Sequence, residues 1–556
     1  MAKAKEKDPL GFDNLFIRWI YIAINAAIFG FLAGVLFSND FDLLNALFWG
    51  GLLCVAGYFF PRLTTFPVWL IVLIVKAMGA EAPSNVRHLR GARVVRGSEL
   101  AEETLAEDGR EQMYWGALPI PRSAEATGFL LVGAPGSGKS VAIHEGMMPM
   151  ISSRGDSCFI SDRSGLFVSR YFDANRGDRI LNPLDARAVA WSPLAEIQQP
   201  WDTKTMAKSL VPDRAGEGGE WSRYAQNLVA AILLYCWSQG KTNGELYRLA
   251  LVADQDELVD IVAGTAAAPY LSPGNERMLG SIRGVAGEAL ASLEYLRPTA
   301  GRDGFSIRRY VLNDKPGGRG RLFFPYMPDQ RLALQSLVSA CADVFSTAVM
   351  MLPESRDTTA QRCFLVMDEL SSLAKVASLE DFLTNARKHG GAAILGVQNI
   401  AQMYERYGRD GTQTMVSSLA SWLILCTGRD EGTAEYMSKS IGDRQISRTV
   451  KSEGGNREHR TWNESEQVVI ERAVLPSEIQ ALPPLRGYAR LAGHPVARVQ
   501  LTPNDSPLMA EAFVPWKGDA PAEVEAVAAA EPTPTPTIPR ERRIPTGNAD
   551  LDELDL

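Results

Sequence analysis

The chain has 556 residues, 46% hydrophobic and 22% charged, with 48 Gly and 32 Pro; it is long enough for roughly two to four domains and too ordinary in composition for a wholly disordered or fibrous protein. Six scattered cysteines without a C-x-x-C pair exclude a disulfide scaffold, and with five histidines lacking H-x-H or H-E-x-x-H spacing they argue against a zinc ribbon. The net charge of −8 is concentrated: from Asn504 onward eleven acids face four bases, which leaves the first 503 residues near −1, so whole-chain acidity does not argue against an anionic ligand.

Residues 16–37 read FIRWIYIAINAAIFGFLAGVLF, with Arg18 as the only charge. As a helix this run matches a hydrocarbon core about 30 Å thick. An acidic turn (SNDFD, 38–42) leads to a second apolar run at 43–60. A third run, 66–78, holds only 13 residues and suits an interfacial or buried segment better than a span. Lys3, Lys5 and Lys7 precede the first run, while Arg62, Lys76 and Arg87 follow the second. The positive-inside rule then places both ends in the cytoplasm of a two-span anchor.

Gly133-Ala134-Pro135-Gly136-Ser137-Gly138-Lys139-Ser140 is a complete G-x-x-x-x-G-K-S, preceded by the buried-strand pattern GFLLV and followed by a helical one. Such a loop turns backbone N–H groups inward around phosphates, at the positive end of a helix. Lys139 is expected on the β- and γ-phosphates of ATP, and the Ser140 hydroxyl on Mg²⁺. A second apolar strand, Cys363–Met367, ends in Asp368-Glu369. Asp368 fits the Walker B carboxylate that supports Mg²⁺, and Glu369 the base that polarises the attacking water. A third strand pattern, Ala392–Val397, ends in Gln398, an amide suited to sensing the γ-phosphate. Arg387, just upstream, is a candidate finger arginine for a neighbouring subunit's nucleotide. A solvated helix-end arginine fits that position equally, and Arg429 is the second candidate.

An apolar hairpin, a Walker A loop and a D-E Walker B about 230 residues later resembles the coupling proteins of type IV secretion and conjugation, the TraD and TrwB group. Further stretches carry the likeness: His88-Leu-Arg-Gly-Ala, Asn182-Pro-Leu-Asp185 with Trp191-Ser-Pro, Phe305-Ser-Ile-Arg308, Met367-Asp-Glu-Leu370, Gly396-Val-Gln398 and Pro476-Ser-Glu-Ile479. Asp162-Arg-Ser-Gly165 stands where that family often has D-P-x-G, with Arg163 replacing the proline. The turn between the two apolar runs is also shorter than the periplasmic loop usual in relatives.

The resemblance implies an α/β RecA-like P-loop NTPase domain, split into 81–190 and 305–503, around an all-α insertion at 191–304. A transmembrane hairpin precedes it at 1–80, and a Pro/Thr-rich acidic tail, expected to be disordered, occupies 504–556. It further implies a homo-hexameric, inner-membrane, DNA-dependent ATPase using ATP and Mg²⁺. Its partners would be single-stranded DNA held by a relaxase with its accessory protein, and the secretion channel. A double-stranded DNA translocase of the FtsK/HerA kind and a non-hydrolysing recruitment platform are the alternatives.

Three further features are read from the residues. Trp191, Trp201, Trp221 and Trp237 suit base stacking or the packing of a small helical core. Arg87, Arg90, Arg93 and Arg96 form one basic cluster, suited to a nucleic-acid backbone or to anionic lipid. Arg444, Arg448, Lys451, Arg457 and Arg460 form another, in a Gly/Ser/Asn-rich segment suited to a nucleic-acid backbone or to a solvated loop. The terminal DLDELDL (550–556) alternates acid and Leu, a pattern suited to docking on a basic, apolar groove or to solubilising the chain.

Overall fold

The computed structural model describes residues 86–106, 111–214, 218–272, 274–313, 320–355, 361–456, 459–504 and 506–517. The expected spans at 16–37 and 43–60 and the acidic end at 550–556 lie outside these residues. The described chain falls into two units, residues 86–89 with Gln445–Ile470, and Arg90–Arg444 with residues 471–517.

In chain order the strands are β1 (Val86–Gly91), β2 (Val94–Arg96), β3 (Met113–Trp115), β4 (Leu118–Ile120), β5 (Phe129–Val132), β6 (Ser157–Asp162), β7 (Arg179–Ile180), β8 (Arg321–Pro325), β9 (Cys363–Met367), β10 (Gly391–Val397), β11 (Ser421–Ile424), β12 (Asp443–Asn456), β13 (His459–Arg472), β14 (Arg486–Arg490) and β15 (Val496–Gln500). The larger unit is built on a ten-stranded sheet in the order β2-β15-β14-β11-β5-β10-β9-β6-β8-β7. From β11 to β7 the strands run parallel; β14 lies antiparallel to β11, and β15 antiparallel to β14.

The central strands are apolar at nearly every position because both of their faces are covered. Side chains alternate between two cores. Leu130, Val132, Leu365, Met367 and Leu395 join one; Phe129, Leu131, Phe364, Val366 and Ile394 join the other. Helix Arg331–Val349 covers the first face through Leu334, Leu337, Val338 and Cys341. Helices Lys139–Gly146 and Met148–Ser153 cover the second through Ile143, Met148 and Ile151. Each such buried side chain contributes about 1.5–3 kcal/mol. Arg331–Val349 is long and apolar enough to cross a membrane, but it is mostly buried and serves as the core helix of this face.

Between β7 and β8 the chain leaves the sheet and forms helices Asp202–Leu210, Gly218–Ser238, Asn243–Leu251, Gln255–Val262 and Glu276–Leu290. Departure and return meet at a β-bridge between Trp191 and Phe305. The buried Glu196 carboxylate ties this neck together. It accepts Trp191 Nε1 at 2.7 Å, Ser306 Oγ at 2.8 Å, and the backbone N–H groups of Ile307 at 2.7 Å and Arg308 at 3.0 Å. Trp191 is therefore a core residue with its indole N–H spent. Trp237 lies under the Arg302 guanidinium, whereas Trp201 is 69% exposed and Trp221 38% exposed.

The smaller unit belongs to a three-stranded sheet ordered β1-β12-β13. The second basic segment is accordingly two paired strands of 14 residues each and not a solvated loop. Arg444, Arg448 and Lys451 lie on β12 and Arg460 on β13, while Arg87 and Arg90 lie on β1.

The tail begins later than its composition implies. The backbone N–H groups of Met509 and Ala510 donate to Ser169 O at 2.6 and 3.1 Å, Ala186 N donates to Val514 O at 2.7 Å, and Trp516 N donates to Leu184 O at 2.9 Å. These bonds pin a strap over 506–517 to the body, through distant partners that composition does not reveal.

Candidate functional site

Parallel strands place their C-terminal ends on one edge, and three of them align there in register. Val397 of β10 pairs with Val132 of β5, and Leu395 pairs with Met367 of β9. The residues that follow these three strands begin the Walker A loop, the Asp368-Glu369 pair and Gln398. Gly396 lets β10 and β9 close on each other: a Cβ there would lie 2.0 Å from Asp368 O.

The loop 133–140 is tied at both ends. Gly133 N donates to Val397 O at 3.2 Å and Ala134 N to Cys426 O at 2.7 Å, while Leu485 N donates to Ser137 O at 2.9 Å. Leu485 has φ +65, the one positive φ at a non-glycine among the described residues. Nothing in the sequence around Leu485 signals either this conformation or its contact with the loop.

Lys139 is buried, and its ammonium donates to Gly133 O at 2.6 Å. Burial holds its pKa below the usual lysine value, against the opposing pull of Glu369 and Asp368. The Ser140 hydroxyl donates to Asp368 Oδ2 at 2.8 Å. The other carboxylate oxygen, Oδ1, is shielded from solvent and has no hydrogen-bond partner. Burial raises the Asp368 pKa, and the Ser140 hydrogen bond and the Lys139 charge oppose the rise. A hydroxyl beside a carboxylate with one oxygen left unpartnered is a donor set that fits Mg²⁺, a hard cation with oxygen ligands.

Glu369 is bound from two directions. Gln398 Nε2 donates to its Oε2 at 2.5 Å, and the Ser371 hydroxyl donates to its Oε1. Its carbonyl accepts Ser372 Oγ at 2.7 Å. Lys139, Ser140, Asp368, Glu369 and Gln398 thus share one edge. Arg387 does not join them within the chain. It lies in the turn Ala386–His389 that enters β10, at the opposite edge, about 20 Å away along the strand. Arg429 follows β11 on the same edge as the Walker A loop, and its neighbour Gly428 packs by Ala134.

A mixed α/β sheet carrying a Walker A loop on the edge where its parallel strands end defines a P-loop protein of the RecA-like class. Residues 112–502 match the family described as the type IV secretion-system coupling protein DNA-binding domain. The chain belongs to this family of coupling proteins. It is 27% identical over 418 residues to the coupling protein TraD of Escherichia coli K12, covering 74% of this chain and 58% of that protein. It is 23% identical over 366 residues to an Escherichia coli conjugal transfer protein TraG, covering 58% of this chain and 56% of that one. The chain therefore spans a little over half the length of these relatives. Among solved structures it is similar to the plasmid coupling protein TrwB in complex with a non-hydrolysable ATP analogue, at 32% identity and TM-score 0.68, covering 77% of this chain and 98% of that one. TrwB in complex with ADP and Mg²⁺ is equally similar, at 34% identity and TM-score 0.68, covering 77% and 97%.

Proposed function

We propose that this protein hydrolyses ATP to move a DNA substrate, delivered by a relaxase, into a type IV secretion channel. The observation that carries the reading is the convergence of Ser140 on Asp368 and of Gln398 on Glu369 at the end of the Walker A strand. The end of β9 brings both carboxylates, Asp368 to Ser140 of the Walker A motif and Glu369 to Gln398 at the tip of β10, over chain separations of 228 and 29 residues.

In this reading the backbone N–H groups of 133–140 bind the phosphates and Lys139 exchanges its carbonyl partners for β/γ-phosphate oxygens. Ser140 and Asp368 hold Mg²⁺, which when bound neutralises charge on the phosphates. Glu369 orients water and takes its proton. Gln398, bonded to Glu369, passes the state of the γ-phosphate to β10 and the helix beyond it. Arg387, on the far edge, faces a neighbouring subunit in a homo-hexameric ring. The apolar runs at 16–37 and 43–60 anchor that ring in the bacterial inner membrane.

The reading is tested in a donor strain that depends on this protein for plasmid transfer. Replacing it with Lys139→Ala or with Glu369→Gln is expected to lower transfer by at least about 100-fold, with the variant still present at normal level in the membrane fraction. Transfer at the wild-type rate by both variants would contradict it.

A further inference from the structure

One cation on the nucleotide edge has no role in this scheme. Ser161 of β6 pairs with Met367 of β9, so Asp162 and Asp368 are the next residues on the two neighbouring chains, and Arg163 and Glu369 the next after those. Arg163 is exposed. No described residue forms a hydrogen bond or an ion pair with it. Its field nonetheless reaches the site: after burial and closer groups, it opposes the rise at Asp368 and adds to the lowering at Lys139.

The segment that carries Arg163 is rigidly held. Asp162 is fully buried, and its carboxylate accepts Ser164 N at 3.3 Å and Val168 N at 2.9 Å. Its carbonyl accepts Tyr326 N at 2.9 Å. The Tyr326 hydroxyl is 2.7 Å from Ser372 Oγ, which donates in turn to Glu369 O at 2.7 Å. The backbones beside Arg163 and Glu369 are thus joined by a short chain of hydrogen bonds. On the outer side, Gly165 has φ +72 and meets the strap, where an added Cβ would lie 2.7 Å from Ala512 Cβ. A side chain of five donors on a fixed base, with no hydrogen-bond or ion-pair partner among the described residues, is poised for an anion.

We propose that Arg163 is a same-subunit catalytic arginine that contacts the γ-phosphate of nucleotide held by the Walker A loop, on the side of Glu369 away from Gln398. The strand order β10-β9-β6 puts Glu369 between the two. Hydrolysis forms a bond from the water oxygen to the γ-phosphorus and breaks the bond from that phosphorus to the β–γ bridging oxygen, giving ADP and inorganic phosphate, with the water proton passing to Glu369. Negative charge spreads over the three equatorial oxygens as this happens, and a bidentate guanidinium stabilises that charge more than the ground state. Arg387 would act from the neighbour; Arg163 acts in its own chain. The assignment rests on the ATPase reading above.

The test uses the full chain in detergent and compares wild type with Arg163→Ala and Arg163→Lys. Steady-state ATP hydrolysis gives kcat and KM, and a fluorescent ADP is titrated with and without aluminium fluoride, which mimics the transferring phosphoryl group. Arg163→Ala is expected to lower kcat by about 100-fold or more, to leave ADP affinity within about twofold, and to abolish the tightening by aluminium fluoride. Arg163→Lys recovers part of kcat. A kcat for Arg163→Ala within about threefold of an active wild type, with the tightening intact, overturns the assignment and leaves the ATPase reading standing. An equal loss of ADP affinity and of kcat/KM makes Arg163 a ground-state phosphate contact and also overturns it. A wild type that binds ADP but never turns over sinks the ATPase reading, and Arg163 with it.

Discussion

Gln398 Nε2 donates to Glu369 Oε2 at 2.5 Å, so the tip of β10 is fastened to the carboxylate that ends β9. One oxygen of the Glu369 carboxylate is held by an amide and the other by the Ser371 hydroxyl, which fixes the orientation of the carboxylate. Gln398→Ala releases one side of this clamp. It should lower kcat by about 10- to 100-fold with a smaller change in KM, since orientation matters most at the chemical step. Steady-state ATP hydrolysis checks it; a change confined to KM would contradict it.

Glu369→Gln keeps size and hydrogen bonding but cannot take a proton. It should bind ATP as wild type does and hydrolyse it at least about 100-fold more slowly. Lys139→Ala should lose affinity as well, because Lys139 is the cation on the phosphate loop. Fluorescent-nucleotide binding beside turnover separates the two effects. Near-normal turnover by Glu369→Gln would remove Glu369 as the base.

Arg387 lies at the edge of the sheet opposite its own Walker A loop, so any action on nucleotide must be on another subunit's. Arg387→Ala and Lys139→Ala proteins, each inactive alone, should regain part of the wild-type ATPase when mixed, because an intact Lys139 can then sit beside an intact Arg387. Mixed assemblies that form without any rescue would argue against action between subunits. Wild-type activity of Arg387→Ala alone would move the role to Arg429.

The parts of this architecture that were legible in the sequence are those that local pattern dictates. The runs FLLV, CFLVM and GAAILGV are apolar throughout because they are central parallel strands, and the Walker A loop advertises itself through its glycines. Parts set by distant partners were not legible. Asp443–Asn456 is rich in Gly, Ser and charge and His459–Arg472 in charge, and they become strands by pairing with each other rather than by propensity alone. The strap at 506–517 looks like tail because its hydrogen-bond partners, Ser169, Leu184, Asp185 and Ala186 among them, are over 300 residues upstream. The left-handed Leu485 on the Walker A loop has no sequence signature, since leucine seldom adopts positive φ. Asp162-Arg163 was readable as a motif, but its level beside Asp368-Glu369 needed the register of β6 with β9.

The Glu196 knot sets the stability of the insertion's neck. Four donors converge on one buried carboxylate, whose pKa is raised by burial against the pull of those hydrogen bonds. Glu196→Ala strands all four and should cost about 3 kcal/mol or more. Thermal unfolding should show an earlier transition, and limited proteolysis should cut first between residues 191 and 305. An unchanged melting profile would contradict this.

His144 lies inside the helix that follows the Walker A loop, its ring stacked 3.9 Å from that of Phe167. Burial, then the charge of Arg170, pushes its pKa from 6.5 down to about 3. Between those values the unfolded chain binds a proton that the folded chain refuses. The contribution to stability is therefore complete above about pH 6.5 and is lost as pH falls toward about 3. His144→Phe lacks the titrating group, so the difference in melting temperature between variant and wild type should shift in the variant's favour from about pH 7 to about pH 4. A difference that does not change with pH would contradict it.

The central claim, that the nucleotide edge drives movement of DNA, is tested most directly by ATP hydrolysis of the full chain in detergent, measured with and without single-stranded DNA. Hydrolysis that rises at least about fivefold with single-stranded DNA, and disappears in Glu369→Gln, is the predicted result. ATP binding with no hydrolysis under any DNA condition would contradict it and favour a recruitment platform in which nucleotide only stabilises assembly.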